Sequence, residues 1–326
     1  CFINQRIKFI MAYTTIKKSS DYFNTKLYTG NGASGSTQAI TGVGFQPELV
    51  WIKSRATTAR HVLQDVIRGA GNHKLSSNET QYEGFDENDW AGGYISSFNS
   101  DGFTANGGTS NASSVNNSGT NYASWNWKAN GAGSANTDGS ITSTVSANTT
   151  SGFSIVSWNG NSGTIGHGLG VKPAMIIVKS RQTANNWVVM HKGLTGGMDT
   201  NILVLNGTGA EGGGGAGMAE PTSSVFTITG GLAANDNNIA YCFADVQGFS
   251  KFGSYVGNGS TDGTFVYTGF KPAFVMFKNT TGNNWGIIDN KRDSYNGALH
   301  RLSPNTSGAD NTGAGVVVDF LSNGFK

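Results

Sequence analysis

The sequence is poor in charge, cysteine and proline, and each shortage excludes a class of protein. Of 326 residues only 13% are charged, with a formal net charge of +2, so the dense basic surface of a nucleic-acid-binding protein is missing. The two cysteines, Cys1 and Cys242, supply neither a disulfide framework nor a paired zinc motif. No run of about 18 apolar residues is present, so we expect no membrane insertion. The apolar part of residues 1–10 is too short for a signal peptide.

Glycine and aromatic residues are plentiful: glycine favours tight turns, and aromatic residues favour β-strands. Hydrophobic residues make up 37% of the chain and aromatic residues 11%, which is enough to form a core. Short runs of β-branched and aromatic residues alternate with Gly, Asn, Asp and Ser, which are typical of tight turns. Helical periodicity is nearly absent. The sequence therefore predicts an all-β protein of tandem antiparallel β-sandwiches, with a jelly roll as the preferred version.

Three segments share one pattern, which is the strongest feature of the sequence. Each contains a proline followed six positions later by a lysine, in GVGFQPELVWIK (42–53), GLGVKPAMIIVK (168–179) and YTGFKPAFVMFK (267–278). Eight, eight and seven positions after the lysine stand His61, Trp187 and Trp285. An Asp or His follows four positions later, at Asp65, His191 and Asp289.

The pattern divides the chain into repeat 1 (11–129), repeat 2 (152–247) and repeat 3 (248–326). Residues 130–151 are rich in Gly, Ser, Thr and Asn and are predicted to be a flexible linker, apart from a short strand considered at 141–145. The Met-Ala pair at 11–12 is typical of the first residues of a protein, so residues 1–10 are expected to be translated upstream sequence. Repeats 1 and 2 close with aromatic stretches at 122–129 and 239–245; repeat 3 has none, so we expect it to be truncated.

Aromatic residues are the candidates for ligand binding. Trp187 and Trp285 each follow an Asn pair that includes Asn186 or Asn284, and Trp90 lies in an acidic, Gly-flanked loop without a repeat counterpart. A tryptophan beside amide groups suits a sugar ring, but a repeated tryptophan also suits packing, and both interpretations stay open. Trp125 and Trp127 align with Cys242 and Ala244 in this comparison, which predicts that their shared face is core.

No residue constellation indicates catalysis, so we expect a non-enzyme. The acidic residues between Glu79 and Asp89 are without counterparts in repeat 2, which favours a solvated loop over a calcium site or a pair of catalytic carboxylates. The five histidines lack metal-binding or triad spacing. We expect no cofactor, with calcium at the acidic loop as the one possibility.

Three stretches, GVGFQPELVWIK (42–53), YASWNWKA (122–129) and YCFAD (241–245) leading to FGSY (252–255), resemble a repeat family of virion proteins of marine tailed phages. The resemblance covers nearly the whole chain from Met11. It implies a fibre-like or otherwise surface-exposed virion protein with sandwiches sometimes compared with concanavalin, and a third unit that continues past Phe325 into a closing aromatic strand. The family's pattern supplies no catalytic residue.

The resemblance implies a tail-fibre-like appendage that attaches to host-surface glycans, made in the host cytoplasm and located in the virion. Its expected partners are those glycans and other virion subunits, with a homo-oligomer such as a trimer raising avidity. One alternative is a capsid decoration or spacer protein that binds no ligand. A second alternative is a polysaccharide-degrading spike that uses the acidic residues 79–89.

Overall fold

The structure is a computed structural model, and it describes residues 13–32, 35–85, 92–108, 114–213, 218–230, 233–313 and 315–326. A short 3-10 helix, Ser19–Asp21, precedes the first strand. The strands of repeat 1 are β1 (Phe23–Thr29), β2 (Thr37–Thr41), β3 (Leu49–Ser54), β4 (Val62–Asp65), β5 (Tyr94–Asn99), β6 (Gly102–Asn106) and β7 (Asn121–Trp127). In the described part of the chain no helix is long and apolar enough to cross a membrane.

Repeat 1 is a sandwich of two antiparallel sheets, in the orders β1-β7-β3-β4 and β2-β6-β5. The strand β3 has the sequence LVWIKS and is buried along its whole length, as its apolar run predicts. Pro47 stands two residues before β3, where it interrupts no strand pairing. Alternate side chains of the first sheet, among them Val50, Ile52 and Tyr122, form the sandwich core against Phe103 of the second.

The main sheet of repeat 2 has the same strand order as the first sheet of repeat 1, with further strands added at both edges. Repeat 2 is therefore the largest of the three repeats. Its strands are β8 (Ser134–Asn136), β9 (Ser143–Asn148), β10 (Phe153–Asn159), β11 (Gly163–Gly166), β12 (Met175–Ser180), β13 (Val188–His191), β14 (Asn201–Val204), β15 (Gly212–Gly213), β16 (Val225–Ile228) and β17 (Asn237–Phe243). One sheet has the order β15-β14-β13-β12-β17-β10-β9-β8, and β11 pairs with β16 in the other. Their core includes Val156, Trp158, Ile176 and Phe226.

The segment 130–151 is not a flexible linker, which corrects the sequence prediction. It supplies β8 and β9, and six residues of β9 pair with β10, from Ser143 opposite Trp158 to Asn148 opposite Phe153. Small polar residues here satisfy their backbone groups in a sheet, and Val145 reaches the repeat 2 core. Composition alone could not distinguish this polar edge hairpin from a linker.

Repeat 3 has the shortest strands: β18 (Val266–Tyr267), β19 (Phe274–Phe277), β20 (Gly286–Asp289), β21 (Phe320–Leu321) and β22 (Gly324–Phe325). They form the sheets β18-β22-β21 and β19-β20. The first sheet repeats β2-β6-β5, and Gly324 repeats Gly102: a Cβ at either position would lie within about 2 Å of a carbonyl oxygen, 2.1 Å from Val266 O and 1.9 Å from Ile40 O.

The three repeats share a central core in addition to their own sandwich cores. Repeat 1 contributes Leu49, Trp51 and Trp125, repeat 2 contributes Ile155, Ile177, Trp187 and Tyr241, and repeat 3 contributes Trp285, Ile287 and Leu302. In each repeat, the sheet that contains the strand after the repeated proline therefore contributes one face to its own sandwich core and the other face to the central core. The repeats form one packed body around this core, and they are not sandwiches joined only by connecting segments.

The sheet register corrects the alignment of the closing strands. Trp51 lies opposite Trp125, and Ile177, at the same position relative to the repeated lysine, lies opposite Tyr241. Trp125 is thus the counterpart of Tyr241, and Cys242 is the counterpart of Asn126. The expected alignment was displaced by one residue, which in a strand exchanges the two faces.

Candidate functional site

The two repeated tryptophans lie at the junctions between repeats. Trp187 is fully buried and Trp285 is 4% exposed. Trp187 Nε1 donates to Ser76 O in repeat 1 at 2.9 Å, and Trp285 Nε1 donates to Val204 O in repeat 2 at 2.9 Å. Their indole faces are covered by the shared core, so this position packs the repeats against one another.

His61 occupies the same position in repeat 1 and completes the set. Its Nε2 lies 3.1 Å from Ser303 O in repeat 3. Trp51 Nε1 donates to its Nδ1 at 2.8 Å, so a neutral ring carries its proton on Nε2 and donates to Ser303 O. Burial, and secondarily the charge of Lys53, lower the pKa of His61 from 6.5 to about 3. The ring therefore stays neutral at physiological pH.

His61, Trp187 and Trp285, which we call the junction ring, close a cycle. Repeat 1 contacts repeat 3, repeat 2 contacts repeat 1, and repeat 3 contacts repeat 2. Each backbone N–H of the ring donates to an asparagine side chain, namely Asn78 at 2.9 Å, Asn206 at 2.8 Å and Asn305 at 3.0 Å. The same local contact thus occurs at all three junctions of the cycle.

Asn186 and Asn284 are exposed next to these tryptophans. The Oδ1 of Asn186 accepts from Asn206 Nδ2 at 2.9 Å, and the Oδ1 of Asn284 accepts from Asn305 Nδ2 at 2.7 Å. The structure brings each asparagine beside its tryptophan but presents no indole face with it. Trp90, the third predicted binding aromatic, lies outside the described residues.

The repeated lysines reinforce two of the junctions. Lys179 Nζ donates to Thr80 O in repeat 1 at 2.8 Å, and Lys278 Nζ donates to Gly209 O in repeat 2 at 3.0 Å. Lys53 donates within its own repeat, to Ser54 O at 2.8 Å. Burial lowers the pKa of both Lys53 and Lys179 from 10.5 to about 8. The ammonium groups of Lys53 and Lys179 thus bind carbonyl oxygens inside the protein, whereas Lys278 is only half-buried.

An acidic residue accompanies each junction, so Glu83 of the acidic loop has a counterpart in repeat 2, contrary to the sequence expectation for that residue. The backbone N–H of Glu83 donates to Arg181 O at 3.0 Å, that of Glu211 to Thr280 O at 2.7 Å, and that of Asp310 to Arg55 O at 2.9 Å. The Glu83 and Asp310 carboxylates also pair with the Nε of Arg181 and Arg55, each at 2.7 Å. Glu83 therefore links repeats 1 and 2.

The sequence left calcium as the one possible cofactor, bound by the same acidic loop between Glu79 and Asp89. Within the described residues no group of three or more His, Cys, Asp or Glu could hold a metal ion. Glu79 accepts from Asn78 Nδ2 at 2.9 Å, while the acidic residues 86, 87 and 89 lie outside the described residues. Calcium at this loop therefore stays a prediction.

Two buried ion pairs form a second repeated feature that sequence analysis missed. Asp65 pairs with Arg68 at 2.6 Å, and Asp289 with Arg292 at 2.7 Å, with all four side chains fully buried. The signal was present, since Asp and Arg stand three positions apart in both repeats. Burial by itself lowers the pKa of Arg68, but the neighbouring Asp65 carboxylate and the Tyr241 hydroxyl outweigh it and raise that pKa.

Closing strands complete these ion pairs from the neighbouring repeat. Tyr241 of β17 donates its hydroxyl to Asp65 Oδ2 at 2.8 Å. Trp125 of β7 donates Nε1 to Asp289 Oδ2 at 3.1 Å, and the Arg292 guanidinium lies 5.5 Å from the Trp125 ring centroid. In repeat 2 the position of Asp65 and Asp289 is occupied by His191. Its ring contacts Phe252, with 6.2 Å between the ring centroids.

The family model described as a domain of unknown function, DUF7483, matches residues 18–326. No curated protein and no solved structure matches the chain.

Proposed function

We propose that this chain, which belongs to the DUF7483 family, is a non-catalytic structural module of a phage particle. The proposal rests on one observation, which is that side chains at repeated positions bind the neighbouring repeats. Trp187, Lys179 and Glu83, whose side chains could have formed a binding or catalytic site, instead join one repeat to another. Such a module supplies a rigid body and surfaces for assembly.

The shared core supports a mechanical role. Because each repeat buries one sheet face against the other two, separating any repeat exposes apolar side chains such as Trp125 and Trp187. Three linked junctions also resist displacement of one repeat by a force applied to another. The resemblance of the repeats to marine phage virion proteins supplies the biological setting of this proposal.

The partners in this proposal are other subunits of the particle and further copies of the chain, with a trimer as the expected oligomer. The place of action is the assembled virion. The test is to purify particles on a density gradient and to quantify peptides of this chain by mass spectrometry against a known capsid subunit. We expect several copies per particle. Peptides found only in the soluble fraction of the lysate would contradict the proposal.

Attachment to a host-surface glycan is the second candidate function, and one observation favours it. Tyr295 is 85% exposed between Ser294 and Asn296, and an aromatic face beside polar groups suits a sugar ring. The test compares binding of the intact chain to host cells before and after removal of surface polysaccharide. Tyr295→Ala should abolish saturable binding, whereas the control Val171→Ala should retain it. Equal binding by stripped cells would contradict this role.

A further inference from the structure

We infer that Asn258 is a site of spontaneous chemical modification, at which the asparagine converts to aspartate and isoaspartate through a cyclic imide. The reacting groups are the Asn258 side chain and the backbone nitrogen of Gly259, and water is the only co-reactant. The fold constrains seven of the eight Asn-Gly steps in the chain and leaves this one able to react. The site is independent of any role in a particle.

An asparagine followed by glycine can close a five-membered imide ring. The backbone nitrogen of the glycine attacks the side-chain carbonyl carbon Cγ of the asparagine, gives its proton to solvent, and displaces the side-chain nitrogen, which leaves as ammonia. Glycine permits the attack because it has no Cβ to shield its nitrogen or to restrict its backbone. Water then opens the ring at one of its two carbonyls, which yields aspartate or isoaspartate without any oxidation or reduction.

The backbone N–H of the glycine decides which of the eight steps can react, because an N–H held by an acceptor is not available for the attack. In five steps that N–H donates a hydrogen bond. The acceptors are Ser36 O for Gly107, Asp236 O for Gly160, Val204 O for Gly207, the Asp319 carboxylate for Gly297 and the Glu48 carboxylate for Gly131.

Two further steps are constrained by β-pairing. Gly32 is buried and bridges to Asn117, and a Cβ at this position would lie 1.6 Å from Ser36 Oγ. Gly324 is buried in β22 opposite Leu321. Either glycine would have to leave its sheet contacts before the imide could form, and such local opening costs free energy.

The step formed by Asn258 and Gly259 is the exception. Both residues are exposed, and the Gly259 N–H makes no hydrogen bond with the described residues. A Cβ placed on Gly259 would meet no atom within 4 Å. The nitrogen that must attack is therefore neither occupied by an acceptor nor enclosed by neighbouring groups.

The side chain of Asn258 is folded back over the peptide unit that attacks it. Its Oδ1 accepts from the Ser260 N–H at 3.1 Å, which closes a turn that contains both Cγ and the Gly259 nitrogen. The same N–H stabilises the negative charge that develops on Oδ1 when Cγ is attacked. Asn258 Nδ2, the leaving nitrogen, donates to Asp262 O at 2.9 Å, so the amide is held in one orientation.

Asn106 provides a matched comparison within the chain. Its Oδ1 accepts from the Gly108 N–H at 2.9 Å, which is the same turn as at Asn258. The intervening Gly107 N–H, however, donates to Ser36 O at 2.7 Å. A difference in reactivity between the two asparagines therefore reports on the glycine nitrogen and not on the turn.

The modification would change the surface beside a cavity in repeat 3. Asn258 and Gly259 line this cavity of about 240 Å³ together with Tyr255 and Phe325. Conversion replaces a neutral amide with a carboxylate and lowers the formal net charge of +2 by one. The modified chain is therefore separable from the original chain by its charge.

The test is incubation of the folded 326-residue chain at neutral pH for several weeks. Mass spectrometry of proteolytic peptides quantifies conversion at all eight steps, and isoaspartyl methyltransferase labels the isoaspartate. We expect Asn258 to react at least about tenfold faster than Asn106, because Gly107 must first break its hydrogen bond. In concentrated urea, where these contacts are lost, the two rates should become similar.

A variant links the reaction to the overall charge of the protein. Asn258→Gln lengthens the side chain by one methylene, so closure would require a larger and more slowly formed ring. Ion-exchange chromatography should show an acidic species accumulating from the original chain and not from Asn258→Gln. The matched control Asn106→Gln should accumulate it at the original rate.

Three results would overturn the inference. One is an equal rate at Asn258 and Asn106 in the folded chain. Another is faster conversion at any of the other Asn-Gly steps. The third is aspartate without isoaspartate at position 258, because direct hydrolysis of the amide would then account for the product.

Discussion

Repeats 1 and 2 each contain a closing strand, β7 or β17, that pairs on both sides, whereas the described residues of repeat 3 contain no counterpart of it. All three repeats nevertheless carry the same proline, lysine and junction positions. In the complete repeats the lysine before the junction is fully buried, whereas Lys278 is only half-buried. The strand β3 is buried along its length, while β19 is half-exposed at three of its four residues. A closing strand therefore does more than extend a sheet: it pairs with the edge of the adjacent strand, and the residues of that strand are more buried where the closing strand is present.

The comparison also separates two sources of stability. Repeat 3 lacks a closed sheet, yet Trp285, Ile287 and Asp289 are as buried as their counterparts. These residues belong to the shared core, which the neighbouring repeats complete. Its own sandwich core is smaller, formed by Val275, Ile288, Ala298, Val318 and Phe320. Repeat 3 thus depends on repeats 1 and 2 more than they depend on it.

The largest expected effect comes from the junction ring. Trp187→Ala should lower the free energy of unfolding by about 4 kcal/mol, because it removes a fully buried indole and leaves a cavity. Trp285→Ala should cost a similar amount. Calorimetry of both variants should show one transition that moves as a whole, since the repeats share a core. A separate transition for repeat 3, shifted only by Trp285→Ala, would contradict the shared core.

Breaking a buried ion pair should come next. Arg68→Met leaves the Asp65 carboxylate buried beside Tyr241 without its cation, so we expect a loss of about 3 kcal/mol in denaturant unfolding. Arg292→Met tests the equivalent pair in repeat 3. Arg60→Met, which alters a partly exposed pair with Glu79 at 3.6 Å, is the control and should change stability by less than about 1 kcal/mol.

Acid should weaken the junctions through their buried histidine. The pKa of His61 falls from 6.5 to about 3 in the folded protein because of burial and the nearby Lys53. Between these values the unfolded chain binds more protons, so stability is fully present above pH 6.5 and is lost as pH falls toward 3. The expected slope is about 1.4 kcal/mol per pH unit. His61→Gln should flatten it; an unchanged slope would remove His61 as the cause.

The smallest change in stability is expected at Tyr255 of repeat 3, which occupies the position of Trp158 in repeat 2. Trp158→Ala should cost about 3 kcal/mol, because Trp158 is buried in the repeat 2 core. Tyr255→Ala, at the same position of repeat 3, should change stability by no more than about 0.5 kcal/mol because that ring is mostly exposed. Equal costs in denaturant unfolding would mean that Tyr255 is covered in solution.

Much of the fold could be predicted from local pattern. The all-β sandwich class, the three repeats and the strands after each proline followed from β-branched runs, turn residues and the spacing of the motif. The closing strands were placed but misaligned by one residue, because Trp125 was matched to Cys242 and not to Tyr241. Both alignments leave aromatic and small residues alternating, and only hydrogen-bonded register distinguishes them.

The roles of the candidate site residues could not be predicted in the same way. Trp187 donates to Ser76 O across 111 positions of sequence, and a tryptophan followed by valines is compatible with either a sugar platform or a packed core. The pairing of Glu83 with Arg181 spans 98 positions and leaves no local signature. Two groups that far apart are brought together only by the packing of whole sheets.

Strand propensity, turn residues and motif spacing act over a few neighbouring residues, so the amino-acid sequence alone establishes that the chain makes β-strands and which positions recur. That those recurring positions face inward and bind the adjacent repeat follows from the packed structure and not from local pattern. The reason is burial: each sheet has a second apolar face after its own sandwich is formed, and three such faces can leave water together only by packing around a common core.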